Sequence, residues 1–294
     1  MAPTPVQGTL PNGLEEAAAH ALPESRNVDA AFTNPAYEPY LKLSHDANVF
    51  VSFVNEGAGY RNSLGYYTFQ NNTFDGLAKT SIDTDASGLV ELSELGATDG
   101  VDMHWLFPNA SKRGSGGDLR AGDTVELNGG SKLSAGTHVG FFLAQNAWDG
   151  SRVGLRESGT ETQVFYSHDF LNPEAPAQAT ENDPELLTQT RHVAMLFADN
   201  LKSGLILAFE DLNRVDYREN AHWYRSDEDF NDAVFYITAT PGTPMADTRA
   251  PDAITAPVPL PSAMVLQAAG AGVLIIAGWI TRKRLRRLGL SQAG

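Results

Sequence analysis

Residues 233–237 are Ala-Val-Phe-Tyr-Ile, and residues 139–143 are Val-Gly-Phe-Phe-Leu. β-Branched and aromatic side chains favour strands over helices. In both stretches the apolar side chains occupy successive positions, so in a strand they would face both sides of a sheet. Such a strand suits the centre of a sheet with a further layer packed on it. We therefore expect a fold built on buried β-strands.

Other short runs rich in β-branched and aromatic residues follow the same pattern, and turn residues such as Asn128-Gly129-Gly130 separate them. Strands of this length with turns between them are typical of antiparallel sandwiches. The sequence therefore predicts an all-β body at 35–240, an antiparallel β-sandwich or jelly-roll-like fold. A polar N-terminal segment at 1–34 precedes it, in which residues 15–21 favour one or two helical turns. The further predicted strands are residues 49–54, 65–69, 124–127, 163–166, 192–197 and 205–209.

Composition excludes several classes of function. The chain of 294 residues is 42% hydrophobic and 19% charged, which provides enough apolar material for a folded core. Residues 1–258 contain all 36 acidic residues but only 16 basic ones, because five of the 21 Lys and Arg lie at 282–287. A surface this acidic repels phosphate backbones and attracts metal cations, so we expect no nucleic-acid partner. The absence of cysteine excludes disulfides, thiolate metal sites and cysteine nucleophiles.

An apolar segment runs from Ala263 to Ile280 without a charged residue, and five basic residues follow it. Its length is near the minimum needed to cross a hydrocarbon core of about 30 Å, and basic clusters stay on the cytoplasmic side. We expect a single transmembrane helix at 262–281, a basic cytoplasmic tail at 282–294 and a body outside the cytoplasm. A buried core helix is the alternative interpretation.

Six prolines between positions 241 and 261 predict an extended linker. The order of this linker, Val258-Pro259-Leu260-Pro261, an apolar helix and a basic end resembles the PEP-CTERM class of bacterial sorting signals, whose Pro-Glu-Pro is replaced here by Pro-Leu-Pro. The resemblance implies export, transient anchoring and processing by an exosortase-type enzyme, with delivery to the envelope or extracellular matrix. Residues 1–5 lack the basic start and apolar stretch of a signal peptide, so export requires a start upstream of Met1 or a removed leader.

Residues 83–94 place oxygen-bearing side chains at the spacing that a single calcium-binding loop requires. Gly88, at the sixth position, permits the sharp bend of such a loop. The segment resembles an EF-hand loop, and we expect short flanking helices at 74–82 and 91–95. An acidic surface turn is the alternative interpretation. The resemblance implies calcium ligands at Asp83, Asp85, Ser87, the Leu89 carbonyl, Glu91 and Glu94.

A second acidic group combines the end of the predicted strand 205–209 with residues 226–232, directly before the strand at 233–239. Two carboxylates about 4 Å apart repel by about 4 kcal/mol at an effective dielectric constant of 20, so crowding at a strand end requires a cation. Oxygen donors without His or Cys favour calcium over zinc or copper. A solvated acidic turn is the alternative. The predicted site has one arm formed by Asp227, Asp229, Asn231 and Asp232, and Glu210 or Asp211 closes it.

Residues 209–212 and 226–235 together resemble the closing signature of the bacterial domain of unknown function 4114 family, in which an acidic stretch precedes a β-strand. The signature occupies 205–239. Further segments at 53–67, 107–111 and 136–143 resemble the same surface proteins. The resemblance spans about 48–240 and implies a surface location, a β fold and calcium binding, without a particular activity.

The sequence contains no Gly-x-Ser-x-Gly elbow, His-Glu-x-x-His helix, phosphate-binding loop or dinucleotide fingerprint. We therefore predict a non-enzymatic calcium-binding protein of the envelope or matrix, with extracellular polysaccharide as a candidate partner. The alternative is a carbohydrate-binding module or glycoside-active enzyme that uses the same acidic edge, because paired carboxylates can act as acid and base. Residues 221–225 are its candidate ligand face, and the aromatic residues available to stack on sugars are Trp105, Trp148, Trp223 and Tyr224.

Overall fold

Two antiparallel sheets form the body of the protein, as a computed structural model shows for residues 2–155, 162–183, 185–187, 189–199, 201–215, 226–245 and 247–251. These residues all belong to one unit, Met1–Ile254. The predicted transmembrane helix, the basic tail and residues 252–261 of the predicted linker lie outside the described residues. The described part of that linker, within 241–251, packs on the body, with Met245 and Ala250 in the core. Within the described part of the chain, no helix has the length and hydropathy that a membrane span requires.

The larger sheet has six strands, and β10 and β11 bring the acidic segments together. β10 pairs with β11 from Gly204↔Thr238 to Phe209↔Ala233, so the end of β10 lies beside the start of β11. In spatial order the strands are β1 (Val6–Gln7), β6 (Asp123–Glu126), β3 (Asn48–Asn55), β11 (Ala233–Thr240), β10 (Gly204–Phe209) and β9 (Val193–Phe197).

The smaller sheet packs against the larger one. Its path is β2 (Leu41–Lys42), β7 (His138–Ala144), β4 (Ser63–Phe69) and β5 (Asp102–Phe107), and β8 (Val164–Tyr166) also pairs with β7. All neighbouring strands in both sheets are antiparallel. The eight predicted strands and the all-β class are confirmed. The sequence analysis did not predict β1, β2 and β5.

Both sheets are covered on both faces, which explains why their central strands are apolar at successive positions. Inner side chains such as Phe53, Phe141 and Phe235 form the core between the sheets. The outer face of the smaller sheet packs against the loops that carry Phe74 and Phe170. Helix α1 (Leu14–Ala21) covers the outer face of the larger sheet. The N-terminal segment therefore belongs to the packed body, since it supplies both β1 and this helix.

Helical structure is sparse, and it differs from the expected helix pair around residues 83–94. The exiting helix is present as α2 (Leu92–Gly96). The entering helix expected at 74–82 is absent, and a short 3-10 turn at Lys79–Ser81 replaces it. The buried Lys79 side chain explains the difference, because its Nζ donates to three carbonyl oxygens of the neighbouring segment and ties this stretch to that segment. Those acceptors are the carbonyls of Asn172, Pro173 and Ala175.

Gly140 in β7 provides a test of the packing between β7 and β4. A Cβ at Gly140 would lie 2.3 Å from the Tyr67 ring, whereas a Cβ at the exposed Gly59 would meet nothing within 4 Å. We expect Gly140→Ala to lower the free energy of unfolding by about 1–3 kcal/mol, the usual cost of overpacking a core. Gly59→Ala should change it by less than about 0.5 kcal/mol. Urea denaturation of both variants measures the difference, and equal stabilities would contradict this packing.

Candidate metal centre

An acidic group, the strand-end cluster, lies where β10 ends and β11 begins. Carboxylate oxygens of Glu210, Asp229 and Asp232 all lie within 4.8 Å of one another. The backbone N–H of Asp211 donates to Asp232 Oδ2 at 2.8 Å, which connects a fourth acidic residue to the group. The structure therefore brings together both predicted parts of the site. The strand-end cluster consists of Glu210, Asp211, Asp229 and Asp232.

The side chains that donate to this cluster are uncharged: the Ser226 hydroxyl at Glu210 and several amides. Asn62 Nδ2 donates to Asp211 Oδ2 at 2.6 Å, and Gln145 Nε2 donates to the Asp211 carbonyl at 2.6 Å. Asn231 Nδ2 donates to Asp229 Oδ2 at 2.9 Å. Amide donors satisfy lone pairs of the carboxylates without cancelling their charge. These uncharged groups therefore do not neutralise the negative charge of the cluster.

Two basic side chains from the same region are paired with other acids. The Arg214 guanidinium binds Glu228, with Nη2 and Oε2 2.5 Å apart. His192 Nε2 lies 2.9 Å from Glu174 Oε1, and both of these side chains are buried. His192 Nδ1 lies 2.9 Å from the carbonyl oxygen of Glu210 and therefore contacts the backbone of that residue. Neither basic group forms an ion pair with a carboxylate of the strand-end cluster.

Two carboxylate oxygens at this end of the sheet have no hydrogen-bond partner among the described residues. Glu210 is fully buried, and its Oε1 accepts the Leu212 N–H at 3.2 Å while its Oε2 has no partner. Glu56 is also buried, and its Oε1 has no partner. An unpartnered carboxylate oxygen in the interior is costly. Each of these two atoms has lone pairs available to a proton or a cation. Lys112 Nζ, which donates to the Glu56 carbonyl at 2.6 Å, places one positive charge near Glu56.

Burial raises the pKa of every member of the cluster, because removal from water penalises the charged form. Desolvation and the neighbouring Asp211 raise the pKa of Glu210 to about 7. Desolvation and Glu56 raise the pKa of Asp211 to about 6, and desolvation with Asp211 and Glu210 raises that of Asp232 to about 10. The pKa of Asp229 is raised by the same burial. Without a cation, carboxyls of the cluster therefore remain protonated at pH values at which exposed carboxyls are ionised.

The cluster extends outward to a residue that the sequence analysis missed. Glu24, Asp227 and Asp229 place carboxylate oxygens within 4.8 Å of one another. Asn231 Nδ2 donates to Glu24 Oε2 at 3.2 Å, and the backbone N–H of Ser25 donates to Asp229 Oδ2 at 2.7 Å. The N-terminal segment thus reaches the acidic arm. Neither Glu24 nor the more deeply placed Glu56 lies in an acidic sequence pattern, so only the fold brings them to the site.

The loop at 83–94 forms a separate acidic group. Carboxylate oxygens of Asp83, Asp85 and Glu94 lie within 4.8 Å of one another. Glu91 instead begins α2, and its N–H donates to Glu94 Oε2 at 3.0 Å. The Ser87 hydroxyl donates to the Leu89 carbonyl at 3.1 Å. The structure therefore collects three of the six predicted calcium ligands through their carboxylates.

Backbone N–H groups already satisfy much of this loop. Asp83 Oδ2 accepts the Gly88 N–H at 2.9 Å, and Glu94 Oε1 accepts the Thr84 N–H at 2.6 Å. Asp83 is buried, but Asp85 and its neighbours are exposed. The loop therefore differs from the strand-end cluster, in which a fully buried carboxylate oxygen has no partner.

The two acidic loops share a backbone pattern. Positive φ angles occur two positions apart in each, at Ala86 (60°) and Gly88 (86°) and at Glu228 (63°) and Phe230 (53°). Such angles are unusual for a bulky residue such as phenylalanine. Backbone of this kind curls so that successive N–H groups converge and can donate to a carboxylate, as Gly88 does to Asp83 and Asn231 does to Asp229. The second loop thus lacks the EF-hand ligand spacing but has similar local curvature.

The fold and the acidic centre define a two-sheet β protein with an oxygen-only candidate metal centre at a sheet end. Residues 133–240 match the family model described as Domain of unknown function (DUF4114). This match supports assignment of that segment to the domain family and includes all four members of the strand-end cluster. The loop at 83–94 lies outside the match. Searches of curated proteins and of solved structures found no match. The candidate ligand face at 221–225 lies outside the described residues.

The raised pKa values predict how stability depends on pH when calcium is chelated. A carboxyl whose pKa is higher in the folded state stabilises the fold below its unfolded pKa of about 4, and this contribution is lost as the pH rises through the folded pKa. For Asp211 and Glu210 the loss begins above about pH 4 and is complete near pH 6 and 7, respectively. We expect the full chain in chelator to melt at a lower temperature at pH 8 than at pH 5.

Asp232→Asn should flatten this decline, because Asp232, whose pKa is raised to about 10, takes up a proton on folding across this pH range and asparagine does not. The exposed Asp118 serves as a control, and Asp118→Asn should leave the profile unchanged. Thermal melting at intervals from pH 5 to pH 8 measures all three proteins. Parallel profiles for the wild type and Asp232→Asn would show that the cluster does not cause the decline.

Proposed function

We propose that this chain is an exported, non-enzymatic calcium-binding protein of the cell envelope or extracellular matrix. The observation that carries the proposal is the buried Glu210 carboxylate, whose Oε2 has no partner among the described residues although three other acidic residues adjoin it. A buried carboxylate group of this kind needs either protons or a cation. At neutral pH outside a cell, a divalent cation is the available partner.

The donor set fits calcium. Every candidate ligand side chain in the strand-end cluster offers oxygen, and calcium takes six to eight oxygen ligands from carboxylates, amide oxygens and carbonyls. Zinc and copper sites generally use His or Cys, which this cluster does not provide. The ligands that we assign to this site are Glu210, Asp211, Asp229 and Asp232, and Asp227 and Glu24 extend it outward.

The loop at 83–94 is proposed as a second calcium site. Its support is the EF-hand-like ligand spacing, the convergence of three carboxylates and the bond from the Gly88 N–H to Asp83. Its self-satisfied hydrogen bonds and its exposure favour weaker binding than at the strand-end cluster. Loss of this site should therefore lower the stability of the chain less than loss of the strand-end cluster does.

Geometry favours a binding role over the glycosidase alternative. A glycoside hydrolase needs two carboxyls that both reach a substrate, separated by about 5–9.5 Å. Glu210 and Asp211 are both buried, with exposures of 0% and 3%, and their neighbours hold them from several sides. A polymer cannot reach either group. The strand-end cluster is therefore better suited to hold an ion inside the fold than to act on a polysaccharide.

Calcium should stabilise the full chain. It should also reverse which protein, the wild type or Asp232→Asn, melts at the higher temperature. Binding to the folded state alone adds about 2.7 kcal/mol at a calcium concentration 100 times the dissociation constant. In chelator we expect Asp232→Asn to melt at a higher temperature than the wild type, because asparagine removes the cost of keeping the Asp232 carboxyl protonated at neutral pH. In calcium we expect it to melt at a lower temperature, because a ligand is lost. Calorimetric melting in both conditions measures this crossover.

The control Asp118→Asn should show no crossover. Asp85→Asn changes a proposed ligand of the loop at 83–94 and so tests that site separately from the strand-end cluster. By isothermal titration the wild type should bind two calcium ions, and each single variant, Asp85→Asn or Asp232→Asn, should lose one of them. A variant that is equally destabilised in chelator and in calcium has lost only packing. That result for Asp232→Asn, together with unchanged calcium binding, would overturn the proposed strand-end site.

Export and anchoring rest on the sequence pattern of the C-terminal region. We expect the full chain, expressed behind a cleavable signal peptide in a bacterium that carries an exosortase-type enzyme, to be found in washed membranes or, after processing, in the medium. Removal of residues 262–294 should abolish the membrane-bound form. Fractionation followed by immunoblotting measures both, and an intact full chain confined to the cytosol would contradict export.

A further inference from the structure

A cavity of about 250 Å³ lies at the outer side of the smaller sheet, away from the acidic residues discussed above. Tyr37 and Tyr40, from the segment that precedes β2, line one part of it. His168 and Phe170, which follow β8, line another part, and Glu181 belongs to a third segment. The volume is below the 300–1,000 Å³ of pockets for drug-sized ligands, so it suits a molecule of about one ring.

His168 gives this cavity an unsatisfied polar group. The residue is 2% exposed, and its Nδ1 is hydrogen-bonded to the Tyr67 hydroxyl. Its Nε2 is buried and has no partner among the described residues. The Tyr40 ring stacks on the imidazole with centroids 4.7 Å apart. Burial lowers the pKa of His168 to about 3, so the ring is neutral and Nε2 suits a hydroxyl group.

The charges that line the cavity are unevenly paired. Lys42 Nζ binds Glu38 at 2.7 Å, and the buried Arg191 binds Asp169 at 2.8 Å. The cavity also contains the carboxylates of Asp75 and Glu181, and no Lys or Arg of the described residues forms an ion pair with either. Asp75 is exposed and Glu181 is half-buried, and the two carboxyls share a side-chain hydrogen bond. Burial together with Asp75 raises the pKa of Glu181, and the charge of Lys42 lowers it. An external cation would relieve the repulsion between the two carboxyls.

We propose that this cavity binds a single amino sugar residue, with its ammonium group at Asp75 and Glu181 and a hydroxyl group at His168 Nε2. A neutral sugar would leave the two carboxylates without a cation, and a simple amine would leave Nε2 without a partner. A small ring that bears both groups provides a partner for the two carboxyls and for Nε2. This site is separate from the proposed calcium centre, and its ligand class follows from the cavity alone.

Titration of the full chain with D-glucosamine, D-glucose and cyclohexylamine tests the assignment. We expect D-glucosamine to bind at least about tenfold more tightly than either comparison ligand, because each comparison ligand lacks one of the two groups that the lining would bind. Glu181→Gln and Asp75→Asn should each remove the preference over D-glucose. Glu185→Gln, a change at an exposed residue of the same segment that does not line the cavity, should retain it. Ligand-observed NMR and calorimetry provide the affinities.

Melting temperatures establish that each variant is folded before its affinity is interpreted. Asp232→Asn should lose calcium stabilisation and keep the preference for D-glucosamine, which separates failure of this proposal from failure of the calcium proposal. Equal affinity for D-glucosamine and D-glucose, equal affinity for D-glucosamine and cyclohexylamine, or no saturable binding by the folded wild type would overturn the inference.

Discussion

Crowding of carboxylates at the junction of β10 and β11 is the constraint on which the acidic end of this structure depends. Antiparallel pairing places the end of one strand beside the start of the next, so acidic residues that are distant in sequence must share a small volume. Burial then removes the water that would screen them. The fold can retain this arrangement in only two ways, by protonating the carboxyls or by binding a cation.

The surrounding loops are built to hold that arrangement in place. Gly57 lies so close to Asn231 that a Cβ would meet its Oδ1 at 2.0 Å, and the Gly57 N–H donates to the Asn231 carbonyl at 3.0 Å. Asn62, in the same connection between β3 and β4, binds Asp211. The connection therefore packs directly on both acidic arms. A close approach of backbones at a glycine is what such packing requires.

Much of the fold was predictable, because its strands are apolar on both faces and therefore stand out from the turns between them. The missed strands lack this signal. β1 has only two residues and both are exposed, and β5 begins with the exposed Asp102, so neither has the composition of a buried strand. The prediction of a helix before residue 83 was wrong for a different reason. Lys79 bonds to a segment about a hundred positions away, and no local pattern reveals such a partner.

The same distinction applies to the candidate site. Residues such as Asp229 and Asp232 were identifiable because local acidic runs before a buried strand are conspicuous. Glu24 and Glu56 were not, since each is a single acid in ordinary surroundings that tertiary packing brings to the cluster. Their positions change the physical interpretation of the site. An ion bound there would connect the N-terminal segment, the β3–β4 connection and the strand ends, so its binding energy would stabilise contacts between segments far apart in the chain. Because the unfolded chain cannot assemble such a set of ligands, the ion would favour the folded state alone.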